Sequence, residues 1–122
     1  GLEACGIRVS LFIDPDLTQI QASASVGASA IELHTGPYAD ASDPLTMERE
    51  LNRLSAATDL GVSLGLRVNA GHGLHYGNVS PVGAMSGISE LNIGHAIIAR
   101  SVFSGLADAV RDMRRLMDRS QS

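Results

Sequence analysis

The stretch LRVNAGHGL, residues 66–74, decides the fold, because it reads as an apolar strand that runs directly into a glycine-flanked histidine. Strict alternation places the apolar side chains on one side of this strand and Arg67 and Asn69 on the other. His72 then lies at the C-terminal edge of a strand, where α/β proteins usually carry their functional groups. A plain βα turn whose histidine forms only local hydrogen bonds is the alternative that this stretch leaves open.

The length and composition predict a single α/β domain. The chain has 122 residues, which is enough for one hydrophobic core and too few for two. Apolar residues make up 44% of the chain but aromatic residues only 3%, so the core has to be built from Ala, Leu, Ile and Val. Aliphatic cores of this kind are typical of helices layered on parallel strands.

Charge and hydropathy argue against two classes of partner. The net charge is −4, and the arginines of the last predicted helix alternate with acidic residues, so nucleic acid is not expected. A membrane-spanning helix needs about 18 consecutive apolar residues, and every apolar run in this sequence is much shorter. We therefore expect neither a membrane segment nor a signal sequence. The lone Cys5 cannot form a disulfide within the chain and fits a small buried hydrophobe. Together these features predict a cytoplasmic protein.

The apolar periodicity predicts four successive βα units. The predicted strands lie at residues 7–13, 30–34, within 66–74 and at 90–93. The predicted helices cover residues 17–26, 44–60 and 106–119, with shorter helical pieces at 81–85 and 96–103. Residues 35–40 are rich in turn formers and are predicted as a loop. Residues 1–6 have the pattern of the last turn of a helix whose beginning is absent.

Two local features of the helices follow from their sequences. Asp14 is expected to cap the first helix, with Pro15 at its first helical position. The apolar stripe of the last helix is expected to contain Leu106, Val110, Met113 and Met117.

Alternating strands and helices with short connections require parallel strands and right-handed crossovers. Four such units form either half of a (β/α)8 TIM barrel or a small open doubly wound sheet. The barrel is favoured because each strand ends in polar residues that share one rim. These residues are Asp14, Glu32 with His34, Asn69 with His72, and Asn92 with His95. Because a half-barrel leaves both edge strands open, we expect the chain to lack its first half or to recruit another chain.

Acid–base chemistry is the first function that the rim suggests. His72 is suited to a general acid or base, since an unperturbed imidazole titrates near neutral pH. Glu32 lies in an apolar strand and needs either a partner, such as an arginine on a neighbouring strand, or a chemical task. Glu32, His34 and His72 together leave open a two-histidine, one-carboxylate metal site, although this spacing carries little information.

Phosphate binding is the second function that the rim suggests. Gly73, Gly94 and the N–H groups at the start of the 96–103 helix form a plausible phosphate cradle, favoured by the helix dipole. His95 is placed to donate to the same phosphate, and a simple helix cap is its alternative role. His75 and Tyr76 receive no chemical role.

Four motifs together resemble the pyridoxine 5′-phosphate synthase family. They are VSLFID at 9–14, IELHTG at 31–36, VNAGHGL at 68–74 and ELNIGHAIIAR at 90–100. Their order and spacing match throughout, and all 122 residues resemble the C-terminal half of that (β/α)8 TIM-barrel enzyme. The resemblance implies a single-domain fragment over residues 1–122 whose N-terminal half is absent from this sequence.

The resemblance also implies a reaction and roles for residues. The family condenses 3-amino-2-oxopropyl phosphate with 1-deoxy-D-xylulose 5-phosphate into pyridoxine 5′-phosphate, inorganic phosphate and water, without a metal or organic cofactor. It implies that His72 is the proton donor, that Glu32 stabilises the transition state, and that Gly73, Gly94 and His95 bind the amino ketone phosphate. Family members assemble as homo-octamers. Since other catalytic groups belong to the N-terminal half, the isolated chain is expected to be inactive.

Two other functions stay open on the sequence alone. One is a different phosphate-binding barrel enzyme, a lyase or isomerase; the chain contains no lysine, so it cannot itself supply a Schiff base. The other is a half-barrel that binds a phosphorylated metabolite without turnover.

Overall fold

The computed structural model describes residues 9–93 and 105–120. Predictions for Cys5, Gly94, His95 and the helical piece at 96–103 lie outside the described residues. Four strands are described: β1 (Ser10–Ile13), β2 (Ala30–His34), β3 (Arg67–Gly71) and β4 (Ile88–Asn92). The described helices are α1 (Leu17–Ser25), α2 (Gly36–Ala39), α3 (Pro44–Ser63), α4 (Val79–Gly83) and α5 (Leu106–Ser120).

The four strands form one parallel sheet in the order β1-β2-β3-β4. This order follows the chain without the reversal that a doubly wound sheet has near its middle. The α/β prediction and the parallel strands are thereby confirmed, and the half-barrel stays a prediction. Within the described ranges, no helix is long and apolar enough to cross a membrane.

The core lies between the sheet and its helices. Ile31 and Leu33 of β2 and Val68 and Ala70 of β3 are fully buried. One apolar cluster joins these strand residues to Ile20 of α1, Leu54 of α3, Val82 of α4 and Met113 of α5. Because alternate strand residues point to opposite sides, these helices cover one face of the sheet, and the opposite face carries the polar residues of the strands.

The helix boundaries differ from the predicted ones in ways that short-range chemistry explains. Asp16, rather than Asp14, caps α1, and its carboxylate accepts from the backbone N–H of Thr18 at 2.8 Å. The chain turns tightly before the helix, with the N–H of Asp16 donating to the carbonyl of Asp14 at 2.7 Å, so Pro15 precedes the helix. The predictions for Asp14 and Pro15 were therefore wrong.

Residues 35–40 contain a helical turn, α2, where the sequence predicts a loop. Tyr38 is 98% buried there, and its hydroxyl donates to the carbonyl of Asn78 at 2.6 Å. Burial raises the pKa of the Tyr38 phenol, which therefore keeps its proton for this hydrogen bond. A tertiary contact thus orders a segment whose composition indicates only turns.

The predicted stripe of α5 is only half correct. Met113 is buried, but Leu106 and Val110 are 55% and 47% exposed, and Ala109 takes the buried position instead. The helix is anchored here because the Tyr76 hydroxyl donates to the carbonyl of Ala109 at 2.8 Å. The small side chain of alanine allows this close approach.

Candidate active site

Two adjacent rows of residues, most of them polar, lie on the sheet face opposite the helices. The strand register places Phe12, Glu32, Asn69 and Glu90 in the first row. It places His34, Gly71 and Asn92 in the second row, nearer the C-terminal edge. The register therefore brings together residues that are distant on the chain, such as Glu32 and Asn92, which are 60 positions apart.

Glu32 reaches across the sheet to Asn92. The Nδ2 of Asn92 donates to the Oε1 of Glu32, although the two residues lie on β4 and β2 with β3 between them. A Cβ on Gly71 would lie 2.9 Å from the Cβ of Asn92 and 3.3 Å from the Oε2 of Glu32. The glycine therefore makes the room for this contact.

This contact gives Glu32 a different partner from the arginine that the sequence suggests. Among the described residues, the polar partner of Glu32 is the Asn92 carboxamide and not an arginine. The space at Gly71 is occupied by the side chains of Glu32 and Asn92. A neutral amide orients the carboxylate without adding a positive charge beside it.

His72 is held in a backbone conformation that favours glycine. Its φ is +84°, and it is the only non-glycine residue with positive φ in the described ranges. Such a conformation costs roughly 1–2 kcal/mol for an L-residue, and functional sites are where this strain is typically stored. The surrounding structure has to supply that energy.

Thr35 supplies the contacts that hold His72. Its buried hydroxyl lies 2.7 Å from the carbonyl oxygen of Gly71 and 2.6 Å from that of His72, and its single O–H is shared between these two acceptors. Its backbone N–H also donates to the Gly71 carbonyl at 2.8 Å. These hydrogen bonds join the end of β2 to the end of β3. They also fix the backbone position from which the imidazole of His72 extends.

The ring of His72 stacks on the ring of His34. Their centroids are 4.6 Å apart and the rings are inclined by 27°. Phe12, on the neighbouring strand β1, approaches His34 edge-on. Their ring centroids are 5.2 Å apart and the rings are inclined by 82°. These three rings restrict the orientation of the His72 imidazole at the strand edge.

The backbone after His72 is fixed by packing and by Asn78. Gly73 has φ of +79°, and a Cβ there would lie 2.7 Å from the Cβ of Ala39 on α2. The Oδ1 of Asn78 accepts from the N–H of His75 at 2.7 Å, and its Nδ2 donates to the Gly73 carbonyl at 3.3 Å. This loop is thus ordered before any ligand binds.

The metal-site alternative gains no support from the geometry. In residues 9–93 and 105–120, no group of three His, Cys, Asp or Glu residues is arranged to hold a metal ion. His34 and His72 lie ring against ring, whereas shared ligation would point their nitrogens at one centre. His75 has a local structural role, because its Nδ1 accepts a hydrogen bond from the N–H of Gly77 at 3.0 Å.

Three residues gain importance that the sequence did not reveal. Thr35 fixes His72 and Asn92 orients Glu32, while Asn69 is 9% exposed and its Oδ1 has no hydrogen-bond partner within residues 9–93 and 105–120. The available signal was polar residues at alternate positions of otherwise apolar strands. That pattern shows which face they occupy but not which of them touch.

The sheet and its polar edge define a class: an α/β protein built from βα units whose candidate site lies at the carboxyl ends of its strands. A comparison with protein families identifies the particular one. The family model described as "Pyridoxal phosphate biosynthesis protein PdxJ" matches residues 1–119. The chain therefore belongs to the PdxJ family, and the resemblance to pyridoxine 5′-phosphate synthases is confirmed.

Proposed function

We propose that this chain forms part of a pyridoxine 5′-phosphate synthase. The reaction joins 3-amino-2-oxopropyl phosphate to 1-deoxy-D-xylulose 5-phosphate and releases inorganic phosphate and water. Membership of a pyridoxal phosphate biosynthesis family supports the proposal. The observation that carries it is the presence, on the neighbouring strand β2 and at the end of β3, of an amide-held carboxylate, Glu32, and a backbone-fixed imidazole, His72.

His72 is proposed as the proton donor. Ring closure between an amine and a carbonyl forms a hydroxyl group that leaves as water, and its departure requires a proton. An imidazole supplies that proton near neutral pH, and stacking on His34 keeps the ring in one orientation. The strained backbone of His72 is consistent with this task.

Glu32 is proposed to stabilise the transition state. The amine nitrogen becomes positively charged as it attacks a carbonyl carbon, and a nearby carboxylate lowers the energy of that charge. Asn92 holds Oε1 through a neutral amide, so the carboxylate keeps its full charge for the substrate. Preorientation of this kind avoids reorganisation during the reaction.

Gly73, Gly94 and His95 are proposed to bind the phosphate of the amino ketone. Backbone N–H groups and an imidazole suit a phosphate dianion, and the order of the loop around Gly73 is consistent with a fixed cradle. Proton transfer and phosphate binding are the only chemistry required of these residues. The proposal therefore names no metal or organic cofactor.

The architecture of the whole enzyme is part of the proposal. Sequential parallel strands with helices on one face are what one half of a (β/α)8 TIM barrel contains. We propose that the chain is the second half of such a barrel, in a cytoplasmic homo-octamer. The isolated chain is then inactive, because the opposite wall of the site is missing.

The test is formation of pyridoxine 5′-phosphate from the two substrates, followed by chromatography with fluorescence detection. The full-length protein is expected to form the product, and the 122-residue chain alone is expected to form none. No product from the full-length protein would contradict the proposed reaction. Product from the short chain would contradict the claim that a second half is required.

A further inference from the structure

Asn69 holds a buried polar atom that the described part of the chain leaves unsatisfied. The residue is 9% exposed, and its Oδ1 has no hydrogen-bond partner in the part of the chain that the structure describes. Leaving such an atom without a donor costs about as much as a lost hydrogen bond. Almost all buried polar groups in proteins are satisfied, so the exceptions require a physical reason.

The other buried asparagine provides the comparison. Asn78 is 7% exposed, and it both accepts from the N–H of His75 and donates to the carbonyl of Gly73. Asn78 is a structural residue whose polar atoms are used within the fold. Asn69 is equally buried, but the acceptor half of its side chain is not used.

The neighbours of Asn69 explain why its oxygen lacks a donor. Glu32 lies directly across from it on β2 and Glu90 directly across on β4. Ionised carboxylates only accept hydrogen bonds, so neither neighbour can donate to Oδ1. One N–H of the Asn92 amide is used by Glu32, and the register partner of Asn92 on β3 is Gly71 rather than Asn69. Across the strands Asn69 is therefore flanked by acceptors, while Arg67 shares its face two residues earlier on β3.

We propose that Asn69 is a substrate-binding residue whose Oδ1 accepts a hydrogen bond from the amino group of the amino ketone phosphate. A row of acceptors containing two carboxylates favours a ligand group that is positively charged and carries several N–H donors. An ammonium group meets both conditions, whereas a hydroxyl group carries a single hydrogen and no charge. This inference rests on the proposed function and adds a specificity-determining residue to it.

The experiment uses the full-length protein with Asn69→Leu, which removes the acceptor while keeping the number and branching of the side-chain heavy atoms, and Asn78→Leu as the matched control. Binding of 3-aminopropyl phosphate and of butyl phosphate is measured by calorimetry. These two ligands differ in having an ammonium or a methyl group at the same position. Thermal unfolding and the KM for each substrate are measured on the same samples.

Asn69→Leu is expected to abolish the preference of the wild-type protein for 3-aminopropyl phosphate over butyl phosphate. The KM for 3-amino-2-oxopropyl phosphate should rise about tenfold, as expected for the loss of one charge-assisted hydrogen bond. The KM for 1-deoxy-D-xylulose 5-phosphate should not change. The Tm of Asn69→Leu should equal or exceed that of the wild type, because an unsatisfied polar atom is removed, whereas Asn78→Leu should lower Tm.

A retained amine preference in Asn69→Leu, a rise in KM for the sugar phosphate instead, or a failure of this variant to fold would overturn the inference. Failure of the proposed function is a separate result. In that case the wild-type protein forms no pyridoxine 5′-phosphate, whatever its preference between the two phosphate ligands.

Discussion

Asn92 on β4 donates a hydrogen bond to Glu32 on β2 over the bare backbone of β3. The contact depends on Gly71, where any Cβ would lie 2.9 Å from the Cβ of Asn92. The Glu32 carboxylate thus accepts from a residue two strands away, although Asn69 is its direct neighbour in the register. One amide thus sets the position of a candidate catalytic group and leaves a second amide for the substrate.

The orienting role of Asn92 is testable by kinetics. Asn92→Ala in the full-length enzyme should lower kcat about tenfold, the cost of roughly 1.4 kcal/mol when an orienting hydrogen bond is lost, with little change in KM. Asn92→Asp should be impaired most at high pH and recover as pH falls, because two adjacent carboxylates are relieved by sharing a proton. Asn52→Ala on the exposed side of α3 is the control and should be unaffected. A pH-independent loss in Asn92→Asp would argue against direct contact with Glu32.

The Thr35 hydroxyl should matter for stability as well as for activity. Thr35→Val keeps the shape but leaves two carbonyl oxygens without this donor, and should destabilise the protein by about 1–3 kcal/mol. Thr35→Ser should retain most of the stability. Thr18→Val, at an exposed threonine of α1, is the control and should change the free energy of unfolding little. Equal stability of the Val and Ser variants, measured by denaturant unfolding, would contradict the role of the hydroxyl.

The strain at His72 predicts a difference in stability between two variants that both lose activity. His72→Gly should be more stable than His72→Ala by about 1 kcal/mol, because glycine adopts the φ of +84° without steric cost. Both variants should lose product formation and still bind phosphate, since the imidazole acts on protons and not on the phosphate. The free energies of unfolding and calorimetric phosphate binding are the measurements. A His72→Ala variant that is more stable than His72→Gly would contradict the presence of backbone strain at this position.

The cap of α3 predicts a pH dependence of folding. Backbone and side-chain hydrogen bonds from Thr46 lower the pKa of the Asp43 carboxyl below its usual range. A depressed native pKa means that the stabilisation is present above the pKa of the unfolded chain and is lost as pH falls through the native pKa. Asp43→Ala should therefore lower Tm at neutral pH, with a difference from the wild type that shrinks in acid. The exposed Asp59→Ala is the control, and a pH-independent difference for Asp43→Ala would contradict the assignment.

Sequence patterns predicted much of the fold because they record burial. The β2 strand was predicted at residues 30–34 and is found at Ala30–His34, since its apolar and polar residues alternate without interruption. The α2 turn was missed because Tyr38 is ordered by a contact with Asn78, forty residues away on the chain. Leu106 and Val110 of α5 were misassigned because an amphipathic stripe does not show which neighbour a helix will meet.

The candidate site was predicted less completely than the fold. Glu32 and His72 could be proposed from their residue types and from their positions at strand ends. The Glu32–Asn92 contact could not, because it depends on the register of three strands and on the empty position at Gly71. The unsatisfied Oδ1 of Asn69 is likewise visible only when all of its neighbours are in place.

The central claim is that Glu32 and His72 carry out the synthesis of pyridoxine 5′-phosphate. Its most direct test is the kcat of the full-length enzyme carrying Glu32→Gln, which keeps the shape of the side chain but removes its charge, beside the exposed control Glu48→Gln. We expect kcat to fall about a hundredfold or more for Glu32→Gln and to stay unchanged for the control. A Glu32→Gln enzyme that forms pyridoxine 5′-phosphate at the wild-type rate would contradict it.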